Sequence, residues 1–318
     1  MSATDYDLLY DLPAGEYEGR GIEGVKTTTI RAGQSLEVLI APTFKWTPEA
    51  RREAKRRRST PAMQIINDRN TERHMMRLAE HNFTTEAVVF TLTYAYPTAE
   101  DYGLCNLREL ADAYEQRGLP WDVDRVRKDA RNFREKAKRL SARCGGKPAA
   151  LKWMQRIEEG KKPAAEGLPP KYHIHGIMEG AGITLQALEA LWPFGTVQVA
   201  RFDLENDGAA RLARYLCKQK TGGRWWSHSR NLKEPPERVS RRKVSRRRLM
   251  LLATEVQRDG RMILEGLYPG YQVRELIVRF SDFAPGAYIY ARMRRQPTDP
   301  PWLRAGGNKR RNEGRKRE

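Results

Sequence analysis

Apolar and polar residues change their spacing several times along this chain, and each change marks a predicted element. Over Val88–Tyr94, every second residue is a large apolar or aromatic one from Phe90 onward, and the residues between are β-branched. This is the period-2 pattern of a strand. Over residues 122–143, apolar residues return every three or four positions and the segment closes at Gly145-Gly146, so an amphipathic helix is predicted there. The chain therefore contains a strand followed by a long helix.

The same pattern extends the order of elements on both sides. Residues 61–82 have a helical repeat, whereas residues 151–158 and 171–178 alternate as strands. A loop rich in proline, glycine and lysine joins these two strands, which predicts a hairpin with a long tip. Further predicted elements are helices at 106–117, 184–192 (N-cap Thr184) and 207–218 (N-cap Asn206 or Asp207), and strands at 195–201, 271–280 and 288–292.

The central elements follow the order β-α-β-β-α-β and then a helix, which is the split βαβ, ferredoxin-like order. We therefore expect an α+β fold in which an antiparallel sheet has helices on one face and a functional site on the other. The predicted boundaries are an N-terminal basic region with a helix at 1–84, a central domain at 85–222, a basic α/β extension at 223–305 and a disordered basic tail at 306–318.

The net charge of the chain indicates what kind of partner it binds. The chain has 59 Lys and Arg against 40 Asp and Glu, a net charge of +19, which favours nucleic acid first and an anionic membrane surface second. No apolar run approaches the roughly 20 residues of a membrane span, and the N-terminus lacks the pattern of a signal peptide. The three cysteines are in no Cys-x-x-Cys spacing. We therefore expect a cytoplasmic protein without a disulfide framework, a zinc knuckle or a membrane anchor.

The chemistry begins with His173-Ile174-His175, which contains two of only five histidines. On a strand this spacing puts both imidazoles on one face. Two imidazoles and a carboxylate such as Glu158 form a three-ligand site with open positions, suited to Mn²⁺ or Mg²⁺ and phosphate oxygens. On the later helix, Tyr215 and Lys218 are neighbours at i and i+3. A metal that polarises a phosphodiester makes this tyrosine a useful nucleophile, because its ester can be reversed by a free 3′-OH.

Four motifs occur in order: Phe90-Thr-Leu-Thr-Tyr94, Ile157-Glu158, the paired histidines, and Tyr215-Leu-Cys-Lys218. Together they resemble the motifs of HUH endonucleases, specifically the rolling-circle replication initiator (Rep) proteins of bacterial plasmids and phages. Further segments resemble the replication-associated subgroup found in elements of Gram-positive bacteria, whether plasmids, phages or integrative elements. These segments are Asn82-Phe83, Trp192-Pro-Phe-Gly195 and the run from Trp226 to Leu232.

The resemblance implies a single-tyrosine enzyme that nicks one strand of a replication origin. His173 and His175 are then metal ligands, Glu158 is the third ligand, Tyr215 is the nucleophile, and Lys218 steadies the phosphate or the phenolate. The protein stays on the 5′-phosphate, leaves a 3′-OH for a polymerase and later rejoins the strand. Because the loop before His173 is longer than is usual in the family, Glu159 or Glu166 remains an alternative third ligand.

The resemblance also implies partners. These are single-stranded or cruciform origin DNA and host replication proteins such as a helicase and a polymerase. A lone tyrosine needs a water or the second protomer of a homodimer for the second cleavage. Cations near the tyrosine and in the basic run 238–248 are expected to contact DNA phosphates. They are Arg211, Arg214, Arg224, Arg230, Arg241, Arg242, Lys243, Arg246, Arg247 and Arg248.

Other functions remain open from the sequence. A conjugative relaxase or a transposase would use the same chemistry on another target. A metal hydrolase also uses His-x-His, but it needs further histidines, and only His228 follows in the chain. A non-catalytic nucleic-acid-binding protein on a ferredoxin-like fold would explain the charge, yet it would leave the paired histidines and Tyr215 without a role.

Overall fold

The structure is a computed structural model, and it describes the residues in the following ranges: 22–44, 61–96, 98, 100, 103–104, 109, 112–113, 116, 123–147, 150–160, 171–217, 226–254, 259–280 and 287–296. Their elements are β1 (Ile22–Ala32), β2 (Ser35–Phe44), α1 (Pro61–Asn82), β3 (Val88–Tyr94), α2 (Val123–Arg143), β4 (Lys152–Glu159), β5 (Tyr172–Glu179), α3 (Leu185–Leu191), β6 (Gly195–Arg201), α4 (Gly208–Leu216), β7 (Trp226–His228), β8 (Glu237–Ser240), α5 (Arg246–Thr254), α6 (Asp259–Leu267), β9 (Tyr271–Phe280) and β10 (Ala287–Arg295).

The chain forms two compact units. The central unit is Gln64–Pro235, and the second unit joins Met1–Met63 to Pro236–Glu318. The central unit is longer than the predicted 85–222, because α1 packs on its sheet and β7 pairs with β4. The two ends of the chain form one unit because their strands share the other sheet. The α+β class with antiparallel sheets is confirmed. Among the described helices, none is long and apolar enough to cross a membrane.

The central unit contains a five-stranded sheet in the order β6-β3-β5-β4-β7, with every pair antiparallel. Along β3, every second residue is buried, as the alternation predicted. Phe90 and Leu92 project to one face of the sheet, where they form a core with Phe133 of α2 and Leu188 of α3. The central strand β5 therefore has neighbours on both sides and a packed core beneath it.

The opposite face of this sheet is also covered in part, which corrects the prediction of helices on one face alone. Met154 of β4 and Ile177 of β5 form a second core with apolar residues of α1 and α4. The alternation of β4 and β5 puts these two side chains on the same face as His175. The candidate site is consequently bounded by helices on its own face.

A glycine next to the paired histidines lets β5 pass close to its neighbours. A Cβ at Gly176 would lie 2.5 Å from the Met154 carbonyl oxygen and 2.5 Å from the Phe90 ring, both too short for real contacts. The Phe90 ring in turn packs against Phe133, with ring centroids 5.4 Å apart. Gly176 is thus required by packing.

Two helix starts were predicted with their caps. The Thr184 hydroxyl accepts a hydrogen bond from the Ala187 N–H at 3.1 Å, which confirms the predicted cap of α3. Asp207 is the N-cap residue of α4, but its backbone is left-handed (φ 62°) and its side chain makes no capping hydrogen bond. The predicted side-chain cap is therefore wrong for Asp207. The predicted helix 106–117 lies largely outside the described residues, as does the whole tail 306–318.

The second unit contains a five-stranded antiparallel sheet in the order β8-β1-β2-β10-β9. One face packs on α5 and α6 through a core of aliphatic residues that includes Leu36, Ile289 and Leu252. The sequence predicted β9 and β10 but neither β1 nor β2. Gly33 has a left-handed backbone (φ 52°) in the two-residue turn between these strands. A glycine in such a short turn is a local sequence signal of a hairpin.

Candidate active site

The two histidines lie on β5 between β3 and β4, and the register of the three strands determines their neighbours. His175 is opposite Thr91 on one side and Arg156 on the other. His173 is opposite Thr93 and Glu158. The two imidazole rings are on one face, with centroids 5.8 Å apart and planes 24° apart. The predicted pairing of the two rings on one face is therefore present in the structure.

Two threonines orient these rings. The Thr91 hydroxyl is 3.0 Å from Nδ1 of His175, and the Thr93 hydroxyl is 3.0 Å from Nδ1 of His173. Both rings thus use the same nitrogen toward the sheet and keep Nε2 for another partner. Hydrogen bonds from the second ring nitrogen are the usual support of a metal-binding histidine. The strand propensity of threonine could alone explain Thr91 and Thr93 in the sequence. In the structure their hydroxyls also hold the two imidazole rings in place.

Glu158 supplies a carboxylate to the same cluster. Its Oε2 atom is 3.2 Å from Nε2 of His175, and only 15% of its side chain is exposed. The neighbouring Glu159 is exposed and, by strand alternation, projects to the opposite face. Glu166 lies outside the described residues. Of the two glutamates on β4, Glu158 is the one that contacts His175, and it is opposite His173 in the register of the strands.

Burial keeps both imidazoles neutral. Loss of hydration lowers the pKa of His173, an effect that the Glu158 carboxylate partly offsets. Loss of hydration, with smaller contributions from His173 and the Arg156 guanidinium, lowers the pKa of His175 to about 4. Neutral imidazole is the form that binds metal ions. At neutral pH the paired rings are therefore available as ligands.

Tyr215 reaches this cluster from α4. Its ring meets the His175 ring edge to face, with centroids 4.6 Å apart and planes at 79°. Tyr215 is 45% exposed, whereas Leu212, Ala213 and Leu216 on the same helix are buried. Burial and the Glu158 carboxylate raise the pKa of the Tyr215 phenol, and a hydrogen bond with Thr91 acts in the opposite direction. The phenol is thus protonated at neutral pH and open to solvent on one side.

Arg156 belongs to the same face and was not identified from the sequence. It is 8% exposed, and its Nη1 atom donates a hydrogen bond to the carbonyl oxygen of Leu216, the last residue of α4, at 2.5 Å. A signal was available, because Arg156 and Glu158 are two positions apart on β4 and must share a face.

The residue types of this cluster suit a divalent metal ion. Two neutral imidazole nitrogens and one carboxylate form a three-ligand set of the kind that leaves positions open for water and phosphate. In the structure Glu158 contacts His175 directly. In the part of the chain that the structure describes, no group of three or more His, Cys, Asp or Glu side chains already surrounds a point where an ion would fit.

The predicted cations divide between the two units. Lys218 and Arg224 lie outside the described residues. Arg211 forms an ion pair with Asp203, and Arg214 donates to the Ala210 carbonyl of its own helix at 3.3 Å. The remaining predicted DNA-binding cations are all exposed. Arg230 is in the central unit, and the other six are in the second unit. Those six are Arg241, Arg242, Lys243, Arg246, Arg247 and Arg248.

Comparisons with protein-family models, with curated proteins and with solved structures gave no match.

Proposed function

We propose that the central unit is a metal-dependent, single-tyrosine DNA endonuclease of the HUH type that nicks and rejoins one strand to initiate rolling-circle replication. One observation carries this proposal. The Tyr215 ring stands against His175, within the cluster that also contains His173 and Glu158. A solvent-open phenol beside a set of metal donors is the arrangement that phosphodiester transfer to tyrosine requires.

The proposal includes a ferredoxin-like fold for this unit. Its support is the chain order β3-α2-β4-β5-α3-β6 together with the sheet order β6-β3-β5-β4. Numbered along the chain, these four strands are arranged 4-1-3-2, with β4 and β5 as the antiparallel hairpin of a split βαβ unit. The fifth strand, β7, extends the sheet at the β4 edge.

The residues divide the reaction between them. His173, His175 and Glu158 would hold a Mn²⁺ or Mg²⁺ ion, which when bound polarises the scissile phosphate as a Lewis acid. Thr91 and Thr93 fix the histidine rings. The Tyr215 oxygen loses its proton to solvent and forms a bond to phosphorus, while the bond to the 3′ oxygen breaks and that oxygen takes up a proton. Attack by a 3′-OH reverses the exchange and rejoins the strand.

DNA is the proposed substrate, in a cytoplasmic setting with host replication proteins such as a helicase and a polymerase as partners. The support is electrostatic. The net charge is +19, and the basic run of the second unit is exposed on β8, on α5 and in the segment between them. Such cations bind phosphates without selecting a base sequence. They therefore support a nucleic-acid substrate and leave the origin sequence open.

A denaturing gel tests the proposal. The protein is incubated with Mn²⁺ and single-stranded origin DNA of its own element, and the wild type should give a covalent protein–DNA adduct. Tyr215→Phe should give none, because it lacks the attacking oxygen. Tyr172→Phe is the matched control, since Tyr172 lies on β5 but projects to the opposite face from His173. Loss of the adduct in both variants, or in neither, would contradict the proposed role of Tyr215.

A further inference from the structure

The helix that carries Tyr215 ends one residue later. The last carbonyl groups of a helix have no partner within it, so they need one from elsewhere. In α4 the Cys217 N–H closes the final turn by donating to the Ala213 carbonyl at 2.9 Å. The Leu216 carbonyl instead accepts from the Arg156 guanidinium on β4, at 2.5 Å.

This hydrogen bond is protected from solvent. Arg156 is only 8% exposed and Leu216 is 1% exposed. A cation at the C-terminal end of a helix also interacts favourably with the partial negative charge of the carbonyl groups there. The interaction is therefore far less screened than an ion pair on the surface would be.

The same arginine is fixed on the catalytic side of the sheet. Arg156 is directly opposite His175 in the register of β4 and β5. One residue thus joins the strand next to the histidines to the helix turn that carries Tyr215. Tyr215 itself is 45% exposed and its ring packs edge to face on His175, so the position of the ring depends on the helix turn that carries it.

We infer that Arg156 is a positioning residue, which holds the last turn of α4 so that Tyr215 stays against His175. This inference rests on the proposed function for its effect on catalysis. Without the guanidinium, the last turn of α4 loses the partner of its Leu216 carbonyl and opens more often. The tyrosine then spends less time in reach of the phosphate, and misplacement by about 1 Å can lower a reaction rate on the order of a hundredfold.

The test compares three variants in single-turnover adduct formation with a short single-stranded oligonucleotide. Arg156→Met removes the donor and keeps much of the side-chain length, while Arg156→Lys keeps a cationic donor. Arg201→Met is the matched control, because Arg201 also donates to a backbone carbonyl, that of Glu86 at 2.6 Å, at the far edge of the same sheet.

Arg156→Met should lower the maximal rate by about tenfold to a hundredfold. The DNA concentration that gives half of this rate should stay within about twofold, since the buried guanidinium does not bind DNA. Arg156→Lys should recover part of the loss, and Arg201→Met should react like the wild type. A wild-type rate for Arg156→Met, an equal loss in Arg201→Met, or a change confined to the half-maximal concentration would overturn the inference.

Hydrogen exchange gives a second readout that does not need activity. Exchange of the Cys217 amide should become faster in both Arg156 variants than in the wild type, while amides in β5 keep their rates. Should Arg156→Met not fold, Arg156→Lys answers the question by itself. Unchanged exchange at Cys217 would overturn the inference even if the proposed enzyme activity is correct. Absence of any adduct from the wild type would instead contradict the proposed function.

Discussion

At the scale of single residues, the candidate site depends on hydrogen bonds from strand to strand. Each imidazole receives one threonine on the Nδ1 side, and both threonines lie on β3. Successive residues of a strand alternate between its faces, so His173 and His175 lie on one face. The register of β3 and β5 places Thr93 beside His173 and Thr91 beside His175 on that face. The orientation of the rings is thus a property of the sheet.

Replacing Thr93 by valine tests this support. The change removes the hydroxyl that is 3.0 Å from Nδ1 of His173 and preserves the shape of the side chain. We expect Mn²⁺ to bind about tenfold to a hundredfold more weakly, as is usual when a supporting partner of a ligand is removed. Titration calorimetry with Mn²⁺ measures the effect directly.

Thr196→Val is the control for this substitution, because Thr196 is opposite Thr93 on β6, exposed and on the same face. It should bind Mn²⁺ as the wild type does. Equal affinities for Thr93→Val and the wild type would show that the hydroxyl does not support the ligand.

At the scale of elements, β5 is held between β3 and β4 and has no space for a side chain at Gly176. Gly176→Ala puts a Cβ 2.5 Å from a backbone oxygen of β4 and from the Phe90 ring. We expect the free energy of unfolding to fall by about 1–3 kcal/mol, the usual cost of overpacking. Urea unfolding of the variant and the wild type measures this loss.

Gly266→Ala serves as the comparison for Gly176→Ala. Gly266 lies in α6 with nothing within 4 Å of the added Cβ, so alanine there should be neutral or stabilise the helix by up to about 1 kcal/mol. A Gly176→Ala protein as stable as the wild type would mean that β5 does not pass as closely as described.

The sequence predicted those elements whose signal is local. The alternation of Val88–Tyr94 and the apolar stripe of Val123–Arg143 locate β3 and α2 within one residue. It did not predict α5, because the arginines at its start obscure the apolar residues that follow. The pairing of β2 with β10 joins residues far apart in the chain, and no local pattern indicates such a contact.

The candidate site was predictable in part for the same reason. His173, His175, Glu158 and Tyr215 have residue types whose chemistry is specific, so their spacing and the resemblance of their motifs to those of HUH endonucleases predicted one site. Arg156 resembles any other arginine in a basic chain, and its function in the structure comes from a contact with α4 sixty positions later. Helices on both faces were missed because α1 precedes the predicted unit, and its partners on β4 and β5 are distant in sequence.

At the scale of the whole molecule, the basic run of the second unit should supply affinity rather than catalysis. Arg241 and Arg242 are exposed there. Changing both to glutamine should weaken binding to single-stranded DNA. The slope of log affinity against log salt should fall by about 0.7 for each phosphate that the variant no longer neutralises. Fluorescence anisotropy at several salt concentrations measures both quantities.

A charge-matched control separates phosphate binding by the basic run from the effect of net charge. Arg127 and Arg131 are exposed on α2, and changing both to glutamine removes the same charge from the central unit. This variant should keep the wild-type salt slope, because α2 packs on the sheet face opposite the histidines. Equal slopes for the two double variants would contradict a specific role for the basic run.

The proposed function depends most on one step, in which Tyr215 becomes covalently attached to the 5′ end of the nicked strand. Its most direct test is mass spectrometry of the adduct after digestion with a nuclease and trypsin. We predict a nucleotide phosphate on the peptide Tyr215-Leu-Cys-Lys218, which follows Arg214 in the chain. A nucleotide on any other residue, or nicked DNA without an attached peptide, would contradict the account.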